Sequence, residues 1–134
     1  MLLLDTDVMI DLQRAYPPAV AWYGTLTEQP ALPGLVIIEM IQLARNKREV
    51  LKALKFVSKF PIVWPTEADC QSALTNFSVH HVSHRLGLLD SLIAACAAGL
   101  SATLCTFNVK HFKVIPHLVT LQPYAKKKAP GKIP

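Results

Sequence analysis

The sequence has few charged residues and no cysteine pair. Charged side chains make up 17% of its 134 residues and hydrophobic ones 51%, which is too little charge and too much apolar material for a disordered protein. Its three cysteines, Cys70, Cys96 and Cys105, are odd in number and lack the C-x-x-C spacing of a zinc site or a redox pair. We therefore expect a folded protein with free thiols, as in a reducing cytoplasm.

The sequence also lacks the patterns of a signal peptide and of an uninterrupted membrane span. Its first residues contain no basic region, and two aspartates interrupt the apolar start. The longest apolar stretch, residues 86–107, contains Asp90, which would cost roughly 2.5–3.5 kcal/mol at a bilayer centre. We interpret this stretch as a buried helix, 88–98, and a buried strand, 102–105, and expect a cytoplasmic protein without membrane attachment.

The net charge of +5 is concentrated at the C-terminus. Four of the 14 basic side chains are lysines within residues 125–134, so the rest of the chain carries ten basic and nine acidic residues. We predict one domain, residues 1–124, and a basic Pro- and Lys-rich tail, residues 125–134. A solvated terminus is the commoner role of such a tail, and contact with nucleic acid is the alternative.

Short apolar segments alternate with helical patterns along the chain. Strands are predicted at 2–4, 35–38, 62–64, 102–105 and 118–121. The second of them is predicted to pass into a helix at Glu39. This alternation predicts an α/β fold with a central parallel sheet, in which a ligand site forms at the carboxyl ends of the strands.

Three of the nine acidic residues lie where the neighbouring sequence favours burial. Asp5 follows three leucines, Glu39 follows a Val-Ile-Ile run, and Asp90 lies in the first turn of an apolar predicted helix. An isolated buried carboxylate costs several kcal/mol unless it is compensated. Each acid alone could be an ordinary cap or first-turn residue of a helix, but three at converging positions favour a functional cluster.

A divalent cation is the compensation that we expect for these acids. No lysine or arginine occurs in the three apolar segments to pair with them. Oxygen ligands favour Mg²⁺ or Mn²⁺ over zinc. An ion held in this way can activate a water molecule and neutralise phosphate charge, as phosphodiester hydrolysis requires.

Four motifs occur in a specific order and spacing. They are Leu-Leu-Leu-Asp5-Thr-Asp, Val-Ile-Ile-Glu39-Met, Gly-Leu-Leu-Asp90-Ser-Leu and Leu-Cys-Thr106-Phe-Asn108. In these motifs the chain resembles PIN-domain ribonucleases, and most closely the VapC-type toxins of prokaryotic toxin–antitoxin pairs. The resemblance implies a three-layer α/β/α fold with a central parallel sheet, metal-dependent endoribonuclease activity, homodimerisation, and inhibition by a VapB-like antitoxin.

The resemblance also implies roles for the acids. Asp5, Glu39 and Asp90 match the acidic metal ligands and the water-activating group of the family. Asn108 matches a fourth position, which is Asp in many members and Asn in others. Because an amide adds no charge, we expect a second metal ion to be held more weakly here.

Other positions of the motifs support the site or depart from the family. Thr106 matches a polar position beside the first aspartate, where we expect its hydroxyl to support the site. Asp7 stands where the family often has Asn or Ser, so it either restores the acidity lost at Asn108 or is a cap or solvated residue. The Ser or Thr that often precedes the glutamate is absent, because Pro33-Gly34-Leu35 stands there.

Several basic residues near the motifs are candidate contacts for RNA phosphates. They are Arg45, Lys47, Arg48, Lys110 and His111. Ordinary solvated cations are the alternative, and His111 also fits a structural turn. His80, His81 and His84 share one predicted helix at metal-site spacing, but we expect surface or dimer-interface residues there rather than a zinc site.

Two other functions fit parts of the pattern. In a haloacid-dehalogenase-type phosphatase, Asp5 would be the nucleophile and Asp7 the general acid, but the later acidic pair is missing and Glu39 would be unexplained. A PIN-like protein that only binds RNA or an antitoxin would have its chemistry impaired by Asn108. The three retained acids favour the enzyme.

Overall fold

Five strands alternate with seven helices in the computed structural model, which describes residues 1–126. The strands are β1 (Leu2–Leu4), β2 (Leu32–Pro33), β3 (Ile62–Val63), β4 (Thr103–Cys105) and β5 (Val119–Leu121). The helices are α1 (Thr6–Gln13), α2 (Pro17–Gly24), α3 (Gly34–Leu43), α4 (Lys47–Val57), α5 (Glu67–His84), α6 (Leu88–Gly99) and α7 (Val109–Phe112). None of these helices combines the length and the apolar character that a membrane crossing would require.

All strand pairs are parallel. One ladder has the order β1-β4-β5, and the other pairs β2 with β3. Backbone hydrogen bonds join the two ladders, because the Leu4 amide donates to the Ala31 carbonyl at 3.2 Å and the Ala31 amide donates to the Leu2 carbonyl at 3.0 Å. The predicted parallel sheet of an α/β fold is confirmed.

The central strands are buried on both faces. Leu3 and Leu4 are consecutive residues of β1 and point to opposite faces of the sheet, yet both are completely buried. Leu104 and Cys105 of β4 are buried in the same way. Helices therefore cover both faces, as the predicted three-layer α/β/α architecture requires.

The predicted second strand is wrong. Residues 35–38 belong to α3, and the strand is the two-residue segment Leu32–Pro33 before it. A short apolar run cannot be assigned to a strand or a buried helix by periodicity alone, and here Leu35, Val36 and Ile37 are all buried within the helix. Glu39 consequently lies inside α3 and not at the junction of a strand and a helix.

The first strand is found with its predicted ends, and the last three are found slightly shorter than predicted. The apolar stretch that contains Asp90 forms helix α6 and strand β4, as predicted, although the helix includes Gly99. The predicted tail, residues 125–134, lies outside the described residues except for Ala125 and Lys126. The domain boundary at residue 124 therefore stays a prediction.

Candidate active site

Two of the expected site residues follow neighbouring strands. Asp5 comes directly after β1, and Thr106 comes directly after β4. The backbones are joined at this edge, because the Asp5 amide donates to the Cys105 carbonyl at 3.0 Å. Since β1 and β4 are parallel, both residues lie at the carboxyl edge of the sheet, where open α/β sheets place their ligands.

The Asp5 carboxylate is buried and takes part in two hydrogen bonds. It is only 3% exposed, and it accepts from the Thr6 amide at 2.8 Å and from the Thr106 hydroxyl at 2.7 Å. The first bond makes Asp5 the N-cap of α1. Burial raises the pKa of Asp5 to about 7, and repulsion from Asp7 and Asp90 acts in the same direction. Asp5 therefore lies in an anionic site and also caps a helix.

Asp7 joins α1 to the segment that follows β4. Its carboxylate accepts from the Val8 amide at 2.8 Å and from the Phe107 amide at 3.0 Å. Burial raises the pKa of Asp7, while these two amides and Lys126 act in the opposite direction. Asp7 is thus part of the site, with both oxygens engaged by backbone donors.

Glu39 reaches the same region from α3. It accepts a hydrogen bond from the hydroxyl of Thr6, a buried residue adjacent to Asp5 in the chain. The sequence reasoning missed Thr6, and the only available sign was a hydroxyl residue directly after the buried aspartate. Through this contact Thr6 fixes the carboxylate of Glu39 at the start of α1.

Asp90 lies in the first turn of α6 and is partly exposed. Its carboxylate lies beside Gly87, where an added Cβ atom would come within 3.1 Å of Asp90 Oδ2. Its charge contributes to the raised pKa of Asp5, which places the two acids in one electrostatic site. The charges of Asp7 and Asp90 thus act on Asp5, and Glu39 contacts Thr6, the residue that follows Asp5.

Thr106 and Asn108 differ in their surroundings. Thr106 is completely buried, and its hydroxyl donates to Asp5 and accepts from the Asn108 amide at 3.0 Å. Asn108 precedes α7 and is exposed, and its side chain makes no capping hydrogen bond. Thr106 therefore contacts Asp5 directly, as expected, while the side chain of Asn108 is exposed and makes no capping bond.

The donors at this edge fit a hard divalent cation in type. They are oxygen atoms, and within residues 1–126 no cationic side chain forms an ion pair with Asp5, Glu39 or Asp90. The described part of the chain contains no group of three His, Cys, Asp or Glu residues already arranged around one ion position. The acids therefore provide negative charge and oxygen donors suited to such an ion, but they are not arranged as a preformed ligand cluster.

The candidate RNA contacts all lie on the surface. They are Arg45 between α3 and α4, Lys47 and Arg48 at the start of α4, and Lys110 and His111 in α7. Of these, Arg45 is paired with Glu49 at 3.0 Å. Lys110 and His111 are the nearest to Asn108 along the chain.

The three histidines of α5 form no metal site. His81 Nδ1 lies 3.0 Å from the Leu86 carbonyl, and His84 Nδ1 lies 2.7 Å from the Ser83 hydroxyl. Within residues 1–126, these histidines do not share an ion position with two other His, Cys, Asp or Glu residues.

Comparisons with known proteins identify the fold and the family. The chain is similar to DNA-bound VapBC from Salmonella typhimurium, with a TM-score of 0.74, 17% identity, and coverage of 90% of this chain and 96% of that chain. It is also similar to a toxin–antitoxin complex from Klebsiella pneumoniae, with a TM-score of 0.73, 23% identity, and coverage of 92% and 98%. A third similar structure is VapBC2 from Rickettsia felis bound to a DNA fragment from its promoter. Its TM-score is 0.70 and its sequence identity 25%, and the match covers 90% of this chain and 96% of that chain.

Sequence comparison gives the family directly. No curated protein matches the chain. A family model described as the PIN domain matches residues 2–118, which is most of the chain and contains all four acids of the site. The chain therefore belongs to the PIN domain family.

Proposed function

We propose that this protein is a metal-dependent endoribonuclease that acts as the toxin of a toxin–antitoxin pair. The observation that carries the proposal is the buried Asp5 carboxylate, which has neighbouring acids and no cationic partner among the described residues. Such an arrangement costs free energy unless a cation completes it. Membership of the PIN family supports a nuclease and leaves the phosphatase hypothesis without support.

Three acids would hold the cation in this proposal, namely Asp5, Glu39 and Asp90. A bound Mg²⁺ or Mn²⁺ would supply Lewis-acid activation of water and neutralise charge on the phosphate. Thr106 orients Asp5 and Thr6 orients Glu39 through their hydroxyl groups. Fixed carboxylates of this kind need little reorganisation when charge develops in a transition state.

Exposed cations would bind the RNA backbone in this proposal. Lys110 and His111 follow Asn108 in the next helix, and Lys47 and Arg48 begin α4 without an ion-pair partner among residues 1–126. Phosphate contacts of this kind raise affinity for any RNA sequence. They account for binding and leave the choice of RNA open to the shape of the surface.

The partners proposed for this chain come from its structural relatives. Those relatives are described as VapBC or toxin–antitoxin complexes. By analogy we propose a VapB-like antitoxin as the inhibitor of this chain, and a homodimer as its assembly. Coexpression with a candidate VapB-like antitoxin, followed by size-exclusion chromatography with light scattering, would test both.

The nuclease is tested by incubating RNA with the purified chain in Mg²⁺, Mn²⁺ or EDTA. We expect discrete fragments with metal, none with EDTA, and none from Asp90→Asn. Glu67→Gln is the matched control, because Glu67 is an exposed acid in the first turn of α5, away from the site. Cleavage that persists in EDTA, or in Asp90→Asn at the rate of the unmodified chain, would contradict the proposal.

A role in binding alone is the second candidate, and the exposed Asn108 favours it, because an amide stands where many family members have a carboxylate. Folded protein that binds RNA and Mn²⁺ without cutting would support this role. Restoration of cleavage by Asn108→Asp would then show that the missing carboxylate is the cause.

A further inference from the structure

Two acids one turn apart on α1 hold the C-terminal part of the chain. Asp7 accepts from the Phe107 amide at 3.0 Å. Asp11 accepts from the Tyr124 hydroxyl at 2.7 Å and forms an ion pair with Lys126 at 3.0 Å. Because residues four apart share one face of a helix, both contacts fasten to the same side of α1.

The side chains that meet at this face pack on the ring of Phe107. The rings of Tyr124 and Phe107 meet edge to face, with centroids 4.8 Å apart, and Lys126 Nζ lies 4.6 Å from the Phe107 centroid. The Tyr124 ring also lies 6.1 Å from the rings of Tyr16 and Trp22. Phe107 is therefore held at its amide by Asp7 and at its ring by Tyr124 and Lys126.

Phe107 stands between two residues of the site. Thr106 on one side donates to Asp5, and the amide of Asn108 on the other side donates to Thr106. A displacement of Phe107 would therefore move Thr106 and Asn108 and disturb these two hydrogen bonds. Tyr124 touches none of the acids that we assign to the cation, because its hydroxyl is engaged by Asp11.

We propose that Tyr124 is a positioning residue, which with Asp11 and Lys126 clamps Phe107 and so holds Thr106 and Asn108 in place beside Asp5. The inference rests on the proposed nuclease function. Tyr124 and Lys126 lie beyond residue 118, where the family match ends, so the clamp is built by a segment outside the matched domain. Burial, and then Asp11, raise the pKa of Tyr124, so its hydroxyl stays a donor at neutral pH.

Hydrogen exchange tests the clamp without any need for activity. In Tyr124→Phe, which keeps the ring and removes the hydroxyl, we expect the Phe107 amide to exchange about tenfold faster, as the loss of one hydrogen bond to a charged group implies. Amides of β1 should exchange as before. Tyr23→Phe is the matched control, because Tyr23 packs on Phe60 and not on the 106–108 segment. Unchanged exchange at Phe107 would overturn the proposal.

Kinetics then separate positioning from substrate binding. We expect kcat of Tyr124→Phe to fall about tenfold with KM near that of the unmodified chain, and kcat of Asp11→Asn to fall at least as far, because this change breaks the same hydrogen bond and also the ion pair with Lys126. A rise in KM with unchanged kcat would overturn the positioning role and assign the segment to RNA binding. If the unmodified chain fails to cleave RNA, the nuclease proposal falls, while exchange at Phe107 still decides the clamp.

Discussion

Asp5 combines two roles that the sequence presented as alternatives. Its carboxylate caps α1 through the Thr6 amide and also faces the neighbouring acids. The capping bond holds the carboxylate in one orientation, while burial makes its ionised form costly. At pH values below about 7 the Asp5 carboxyl is protonated, so a cation that binds here must displace that proton. Metal affinity should therefore fall as the pH falls.

The first prediction concerns stability against pH in the metal-free protein. The pKa of Asp5 is about 7 in the folded chain, against an ordinary value of 3.8, so between these values the folded state binds more protons than the unfolded state. Stability should fall as the pH rises from about 4 to about 7, by a few kcal/mol, and Asp7 acts in the same direction.

Asp5→Asn should remove most of this decline and stabilise the protein at pH 8 in EDTA, although it abolishes the proposed activity. Urea unfolding between pH 4 and pH 8 measures the effect, with Glu67→Gln as the control that keeps the decline. If the stability of Asp5→Asn declined equally over this pH range, ionisation of Asp5 would not be the cause of the decline.

The second prediction concerns Thr6, whose hydroxyl donates to Glu39. Thr6→Val keeps the shape of the side chain and removes the donor, so Glu39 loses its fixed orientation. We expect the rate of RNA cleavage to fall about 10–100-fold, as is usual for a residue that orients a metal ligand. Thr6→Ser, which retains the hydroxyl, should keep most of the rate. Full activity in Thr6→Val would mean that Glu39 needs no support from α1.

At the scale of elements, the sequence predicted four of the five strands in residues 1–126, both the buried ones, β1 and β4, and the partly exposed ones, β3 and β5. The leucines of β1 and the apolar residues of β4 are each followed by a polar residue that ends the strand, so local pattern was sufficient. Strand β2 has only two residues, and its neighbours in α3 are equally apolar. Only pairing with β3, about thirty residues away, distinguishes it, and periodicity does not encode that contact.

The site, like the strands, could be predicted from the sequence only in part. The acids could be predicted because a carboxylate in apolar sequence is unusual. The contacts that hold them could not, because the Thr6–Glu39 bond spans 33 residues and the Asp7–Phe107 bond spans 100. Such pairs depend on how helices and strands pack. The sequence therefore predicts the acidic residues of the site but not the hydrogen bonds that hold them.

The third prediction concerns the start of α5, the longest helix in residues 1–126. Thr66 accepts from the Asp69 amide at 3.1 Å, and Asp69 accepts from the Thr66 amide at 2.9 Å, which completes a capping box with Asp in place of the usual Glu or Gln. Thr66→Ala should lower the free energy of unfolding by about 1 kcal/mol.

Thr75→Ala is the control on the same helix. Its hydroxyl bonds back to the Gln71 carbonyl in the helix interior, where alanine is favoured. Stability should stay the same or rise, and urea unfolding of the two variants gives the comparison. An equal effect at both positions would mean that the cap contributes nothing specific.

At the scale of the whole molecule, acids and bases have different distributions. Asp5 and Asp7 lie at the carboxyl edge of the sheet, while four of the 14 basic side chains lie in residues 125–134. Lys126 lies against Phe107, next to the residues that support Asp5. The described part of the chain therefore ends next to the segment that supports Asp5, which favours contact between the basic tail and RNA over a merely solvated tail.

The fourth prediction is that removing residues 127–134 weakens RNA binding and makes it less sensitive to salt. The truncation removes three lysines, Lys127, Lys128 and Lys132, and keeps Lys126. If each lysine neutralises one phosphate of single-stranded RNA, the slope of log affinity against log salt should become shallower by up to about 2. Filter binding from 50 to 200 mM salt measures this slope, with Asp90→Asn in every chain to prevent cleavage.

A full-length chain with these lysines replaced by Gln is the control. It should match the truncation, because the effect is one of charge. Equal slopes in all three chains would place the tail outside the RNA interface and leave the cations of α4 and α7 as its only candidate contacts.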